Sequence, residues 1–176
     1  FALMDEVGID VGAHVMTGDL AEMFKKRDGA LMSKGLLLMN DAGYKGRKNK
    51  RGFLAYDSKG KKRRGKFNPA VGHFFGNPRP KKFKSVEVQL RLSLLLLNEA
   101  VLCLQEGIIE SVEDGDLGAI FGIGFRPFTG GPFRYIDQVG AANVLNELDM
   151  YRKILGERFK ACDMLIDYAK SNKTFY

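Results

Sequence analysis

The apolar run between Val86 and Gln105 constrains the fold of this chain more than any other stretch. Its length alone would suit a membrane-spanning helix, but Glu87, Arg91, Asn98 and Glu99 are among the residues that interrupt it. Such residues are costly inside a bilayer, whereas an amphipathic helix in a protein places them toward solvent or a polar partner. The run therefore predicts one long helix against which the rest of the chain packs.

Glycine and capping signals divide the remaining sequence into shorter helices. Ser111 and Asp114 have capping-box spacing, and Pro132 suits the first position of a helix. Glycines follow the apolar periodic segments, as they do at helix ends. We predict the end of a helix at residues 1–7 and a second helix that begins at Gly8 or Asp10, with a weak break at residues 17–19. Further helices are predicted at residues 31–42, 86–106, 111–120, 132–139, 141–155 and 162–170. The fold class is therefore all-α, with at most a short hairpin near residues 46–56.

A short segment occurs twice in the chain. Phe1–Gly8 and Phe133–Gly140 share phenylalanine, aspartate, valine and glycine at the same four positions, so Asp5 corresponds to Asp137. We predict a duplicated helical unit whose first copy is truncated, and one shared structural role, such as capping, for the two aspartates. A chain that begins inside an apolar segment without methionine is expected to be a piece of a longer protein.

Basic residues are concentrated in one stretch around Lys61–Arg64. Residues 45–84 hold 15 lysines and arginines against one acid, and the other residues hold 13 against 20 acids, a net charge of −7 there. We predict three parts: the end of a first helical domain at 1–56, a basic linker at 57–84 and a second, complete helical domain at 85–176. Three interpretations of the basic residues stay open, namely a solvated loop, which we favour, an anionic membrane or phosphate site at 45–66, and nucleic acid, the least favoured.

The residue types that commonly carry catalysis are few and scattered. His14 falls on a predicted helix and His73 in the basic linker, and no histidine–cysteine cluster has the spacing of a metal site. Gly122 and Gly124 open like a dinucleotide fingerprint, but Pro127 takes the third glycine position and no strand precedes them. We therefore predict no catalytic, cofactor-binding or metal-ligating residue in this chain.

Two further polar features have structural interpretations. Asn98 and Glu99 lie in the middle of the longest apolar helix, where buried polar groups must be hydrogen-bonded. We expect one of them to bond to loop backbone amides, for instance those of the glycine-rich loop 122–133. Cys103 and Cys162 fall in apolar helical patterns and are expected to be buried thiols, which favours a reducing compartment.

Three long segments resemble a known family: Asn98–Gly107, Asp114–Phe125 and Gly130–Asp137. They are similar to the C-terminal region of the 3-hydroxyacyl-CoA dehydrogenase part of multifunctional fatty-acid oxidation proteins, above all to its mitochondrial members. Asp5–Val11 and Asn172–Tyr176 fit as well, so the resemblance covers almost the whole chain except residues 57–84.

The resemblance implies a place for this chain in a larger enzyme. Members of the family oxidise L-3-hydroxyacyl-CoA with NAD in fatty-acid β-oxidation, and the parent protein is expected to carry an enoyl-CoA hydratase as well. The NAD-binding domain and the catalytic histidine and glutamate lie upstream, so the isolated chain is expected to bind no cofactor and to be inactive. The implied roles are closure of the acyl-CoA site, self-association and contact with a thiolase (beta) subunit, in the mitochondrial matrix at the inner membrane.

The resemblance assigns a substrate contact to one residue. The position just before the Gly-x-Gly-Phe run is a substrate-contacting tyrosine in bacterial members of the family, and here it is Phe121. Loss of the hydroxyl leaves only an apolar contact with substrate. The alternative function is a helical assembly module whose basic loop binds an anionic membrane or nucleic acid.

Overall fold

The chain folds into two compact units, Phe1–Lys81 (unit 1) and Lys82–Tyr176 (unit 2). The structure, a computed structural model, describes residues 1–28, 34–57, 59, 62–79 and 81–176. Helices make up most of the described chain, which confirms the all-α fold class. The division at residues 57 and 85 stays a prediction.

Four α-helices and a hairpin form the described part of unit 1. The helices are α1 (Ala2–Val7), α2 (Ile9–Val15), α3 (Asp19–Asp28) and α4 (Gly35–Asp41), and a 3-10 helix covers Pro69–Phe75. A helix was predicted at residues 31–42, and of that range residues 31–33 lie outside the described part. The core of the unit consists of buried Ile9, Met39, Tyr44, Phe53 and Val71.

The hairpin reaches further along the chain than the sequence predicts. Strand β1 (Leu54–Tyr56) pairs antiparallel with β2 (Lys62–Phe67), and only β1 and an isolated bridge between residues 46 and 51 fall within 46–56. The end of β2 is fixed by Asn68, whose backbone N–H donates to the Phe53 carbonyl at 2.9 Å. Backbone hydrogen bonds to β1 therefore stabilise this strand, although its sequence shows no alternation of apolar residues.

Five helices form unit 2: α5 (Ser85–Gln105), α6 (Val112–Ile123), α7 (Pro132–Val139), α8 (Ala141–Leu155) and α9 (Asp163–Ser171). Helix α5 buries Leu94, Leu97, Asn98 and Val101, at the spacing of one helical face, so the central helix of the prediction is confirmed. Among the described residues no helix has both the length and the apolar character needed to cross a membrane.

Local signals account for the ends of these helices. The Ser111 hydroxyl accepts a hydrogen bond from the Asp114 N–H at 3.1 Å, which confirms the predicted cap. Helix α6 continues beyond Ile120 to Ile123 and ends at Gly124, whose φ of 72° is left-handed. Helices α7 and α8 begin and end where the sequence predicts.

The repeated segment has the same backbone course in both units. Gly8 joins α1 to α2 with φ 117° and ψ 134°, and Gly140 joins α7 to α8 with φ 88° and ψ 128°. Residues that carry a side chain rarely adopt these backbone angles, so each glycine permits a sharp bend between two helices. The shared geometry supports the predicted duplication.

Candidate functional site

Asp116 is the best-connected buried acid of unit 2. Its carboxylate accepts hydrogen bonds from the N–H groups of Phe133 (2.8 Å) and Arg134 (3.3 Å), at the first turn of α7, and from the hydroxyl of Tyr176 (2.9 Å). Gly131 leaves room for it, because a Cβ atom there would collide with the carboxylate. A negative charge at a helix N-terminus is stabilising, so Asp116 fixes α6, α7 and the C-terminal residues together.

Asp5 has a matching role in unit 1. This fully buried carboxylate accepts from the N–H groups of Phe53 (2.8 Å) and Leu54 (2.9 Å) and from the Tyr56 hydroxyl (3.0 Å). Asp137, its counterpart in the repeat, accepts from the N–H groups of Phe175 (2.9 Å) and Tyr176 (3.0 Å). The predicted shared structural role is confirmed, since each aspartate accepts hydrogen bonds from two consecutive backbone N–H groups distant in the sequence.

Both tyrosines on these carboxylates titrate at unusually high pH. Burial and then the hydrogen bond to Asp5 raise the pKa of Tyr56 to about 12, and burial and then the hydrogen bond to Asp116 raise the pKa of Tyr176 to about 12. The protonated hydroxyl is the donor, so ionisation would break the bond and place two negative charges together. Burial also raises the pKa of the Cys162 thiol.

A pH-dependent stability follows from these two hydroxyls. Their folded-state pKa lies above the unfolded value of 10.0, so the stabilisation is complete below pH 10 and is lost as pH rises toward about 12. We expect Y56F and Y176F each to flatten this alkaline loss of stability, as measured by urea unfolding. Y168F, whose ring stacks on Phe175, is the matched control and should keep the original slope. An unchanged slope in both variants would contradict the assignment.

Phe121 lies on an exposed apolar face of α6. Its side chain is 82% exposed, and Leu117, one turn earlier, is 54% exposed. A Cβ atom added at Gly118 or Gly122 would meet nothing within 4 Å, so this face is open. The position suits an apolar contact with a ligand or another protein surface, and the substrate contact itself stays a prediction.

The glycines beside Phe121 do not fit a nucleotide site. A dinucleotide loop joins a strand to a helix N-terminus, where N–H groups meet the pyrophosphate. Gly122 lies instead in the last turn of α6, and Gly124 is its C-terminal cap. These two glycines therefore lie at a helix C-terminus, where carbonyl groups rather than N–H groups lack intrahelical partners.

The remaining candidates lie apart from one another. His14 is exposed on α2, and exposed His73 packs its ring 3.8 Å from that of Phe74. Among the described residues no group of three or more histidines, cysteines, aspartates or glutamates could hold a metal ion. The prediction of no catalytic residue stays a prediction.

Asn98 ties α5 to a loop, as predicted, although the loop is a different one. Its side-chain oxygen accepts from the Cys162 N–H at 2.9 Å, and its amide donates to the Lys160 carbonyl at 3.1 Å. The sequence pointed to the glycine-rich loop as the partner. Cys162 is a buried thiol, and Cys103 is a thiol that is only half-buried.

Several basic residues of the 45–66 stretch are engaged within unit 1. Arg47 bonds Glu6 at 2.9 Å, Lys48 bonds Asp10 at 2.9 Å, and the guanidinium of Arg51 lies 4.6 Å from the ring centroid of Tyr44. The bond from Lys48 lowers the pKa of Asp10. Lys61 lies outside the described residues. The engaged side chains therefore contribute contacts to the unit itself.

Comparison with known proteins finds two similarities. Residues 1–56 match the family model of the 3-hydroxyacyl-CoA dehydrogenase C-terminal domain. Fatty acid oxidation complex subunit alpha from Shewanella loihica is 44% identical over 177 residues, which cover 99% of this chain and 24% of that relative. The chain thus spans about a quarter of the relative's length, and the resemblance to the C-terminal region of multifunctional fatty-acid oxidation proteins is confirmed.

The comparison overturns one expectation and gives no support to another. The predicted mitochondrial location is wrong, because the 44% identical relative comes from a bacterium, which has no mitochondria. The alternative of an assembly module that binds membrane or nucleic acid through its basic loop finds no support in either match.

Asp116 is the structural residue that the sequence did not reveal. It lies close to Glu113, Asp114 and several glycines, where an acidic residue is expected to be a solvent-exposed part of the first turn of a helix. The sequence does contain a signal for such an acceptor, since Gly131 and Pro132 predict the start of a helix, whose first N–H groups need a hydrogen-bond partner.

Proposed function

We propose that the chain is the helical C-terminal part of an NAD-dependent L-3-hydroxyacyl-CoA dehydrogenase of fatty-acid oxidation. The 44% identity to the alpha subunit of a fatty acid oxidation complex, over 99% of the chain, carries the proposal. Because the chain spans 24% of that relative, we assign the NAD-binding domain, the catalytic base and an enoyl-CoA hydratase to the rest of the protein.

The part played by this chain is binding rather than proton transfer. Hydride transfer to a nicotinamide needs a general base beside the substrate hydroxyl. The buried acids Asp5 and Asp116 each accept three hydrogen bonds and so serve the fold. Phe121 and Leu117 instead offer an exposed apolar face, which suits the acyl chain of the substrate at the closed site.

A second exposed apolar surface supports a role in assembly. The helices α1 and α2 expose Leu3 (73%), Val7 (47%) and Val11 (43%). Self-association, or contact with the thiolase (beta) subunit that the resemblance implies, would remove this surface from water. What covers this surface is part of the proposal.

The experiment measures NADH formation by the full-length protein that contains this chain, with long-chain and four-carbon 3-hydroxyacyl-CoA. We expect F121A to lower kcat/KM for the long-chain substrate by about tenfold, because the apolar contact of one phenylalanine is worth roughly 1.5 kcal/mol or more. The four-carbon substrate should change by less than about twofold, since it is too short to gain from that contact.

M150A is the matched control, because Met150 is 41% exposed on α8, outside the α6 face. It should leave both substrates unchanged. A parent protein that forms no NADH would overturn the proposed activity. An F121A variant that affects both substrates equally, or neither, would overturn the role of Phe121 and leave the activity standing.

A further inference from the structure

A cavity of about 260 Å³ lies within unit 2, between α5 and the pair α7–α8. Its walls are largely apolar and include Val86, Leu90, Leu94, Val139 and Val144. Ligand pockets for whole cofactors are generally larger than this, so the space suits a small molecule or one section of a longer one.

Two charged side chains enter this apolar cavity. Arg126 and Glu147 both line it, and Arg126 Nη2 and Glu147 Oε2 are the buried side-chain atoms of the described residues that lack a hydrogen-bond partner. Buried polar groups are nearly always hydrogen-bonded, because an unmet donor or acceptor loses its hydration without compensation. The cavity therefore presents one unmet donor and one unmet acceptor to whatever occupies it.

Aromatic contacts hold the guanidinium in place. The Arg126 guanidinium carbon lies 4.5 Å from the ring centroid of Tyr135, which also lines the cavity, and 5.7 Å from that of Phe125. Both distances are within the range of cation–π attraction. The donor is thus positioned by the protein before any ligand arrives, which reduces the entropy lost on binding.

The pair of opposite charges limits the class of ligand. A carboxylate or phosphate would gain from Arg126 but be repelled by Glu147, and an ammonium ion would gain from Glu147 but be repelled by Arg126. A neutral group that has one hydrogen-bond acceptor and one hydrogen-bond donor meets both residues without repulsion. A secondary amide does this, since its carbonyl accepts and its N–H donates.

We propose that this cavity binds a small neutral ligand with a secondary amide next to a short apolar chain. The amide carbonyl accepts from Arg126 Nη2, the amide N–H donates to Glu147 Oε2, and the apolar chain lies against Leu90, Leu94 and Val144. This inference is independent of the proposed dehydrogenase activity.

The test compares three probes of matched length with the 176-residue chain: N-butylacetamide, hexanoate and heptylamine. We expect N-butylacetamide to shift the backbone amide signals of α5 and α8 in two-dimensional NMR spectra, saturating at millimolar concentration, as the small size of the probe implies. Hexanoate and heptylamine should bind at least about tenfold more weakly because each meets one like charge.

Two variants are expected to change which of the three probes the cavity binds most tightly. E147Q removes the negative charge and should let hexanoate bind at least about tenfold more tightly, and R126M should do the same for heptylamine while weakening the amide by about tenfold. D149N, an exposed change on the same helix, is the control and should leave all three affinities unchanged. Well-dispersed spectra show that each variant is folded.

Two further probes distinguish a cofactor-like source of the amide from a peptide-like one. Pantetheine carries such amides in a cofactor-like chain, and N-acetyl-leucine methylamide carries them in a peptide-like one, so the tighter of the two identifies the natural class. The proposal is overturned if hexanoate binds the unmodified chain as tightly as the amide, if no probe shifts the signals of α5 and α8, or if E147Q and R126M leave the order of affinities unchanged.

Discussion

Replacing Phe133 with alanine is expected to lower the free energy of unfolding of unit 2 by about 4 kcal/mol. The ring is fully buried, and it packs 5.0 Å from the ring of Phe175 and against Gly115, where a Cβ atom would collide with it. Close packing on both sides leaves the surrounding backbone little freedom to collapse into the space. The removed ring would therefore leave a cavity, and cavities add to the lost burial free energy.

Urea unfolding of the chain, followed by circular dichroism, measures this effect. F133L keeps most of the volume and should lose roughly 1 to 1.5 kcal/mol. Since Phe133 lies in unit 2, native-state hydrogen exchange in unit 1 should remain unchanged in both variants. Equal stability of F133A and F133L would show that the site relaxes, against the packing described above.

Replacing Asp116 with alanine is expected to lower the stability of unit 2 by about 3 kcal/mol. The substitution leaves the buried N–H of Phe133 without its acceptor and releases the Tyr176 hydroxyl. Bonds to a charged group are worth more than neutral ones, and an unmet buried donor carries a further penalty. The negative charge at the start of α7 is lost as well.

The controls for this prediction separate charge from hydrogen bonding. D116N keeps an acceptor oxygen and nearly the same volume, so it should lose about half as much as D116A. D149A removes an exposed acid and should change stability by less than about 0.5 kcal/mol. Hydrogen exchange of the Phe133 amide should accelerate in D116A beyond the global change, and an unaltered rate there would contradict the capping role.

How much of the fold could be predicted from the sequence depends on the kind of interaction that determines each element. The course of α5 to α8 follows from signals within a few residues, such as Ser111, Pro132 and Gly140, and these elements were predicted closely. Strand β2 was not predicted, because its pairing with β1 rests on backbone bonds rather than on an apolar pattern. The repeat was readable because Gly8 and Gly140 need the same unusual backbone angles.

The polar sites could not be predicted without the fold, because their residues are distant in the sequence. Arg126 and Glu147 are far apart in the sequence, and only the packing of α8 near the loop before α7 brings both to one cavity. Asp116 likewise meets Tyr176 across 60 positions, a separation at which no local spacing rule applies. Phe121 could be singled out only through the resemblance, because an exposed phenylalanine has no pattern of its own.

The use of backbone N–H groups by Asp5 and Asp137 bears on how the two halves of a duplicated protein diverge. Each carboxylate recognises amide hydrogens, which every residue except proline supplies, so the residues it holds can be exchanged over evolutionary time without loss of the bond. Selection then needs to preserve the acid and the adjacent bend, while the bonded segments drift. Two copies can thus keep one architecture with only four identical positions in the repeated octet.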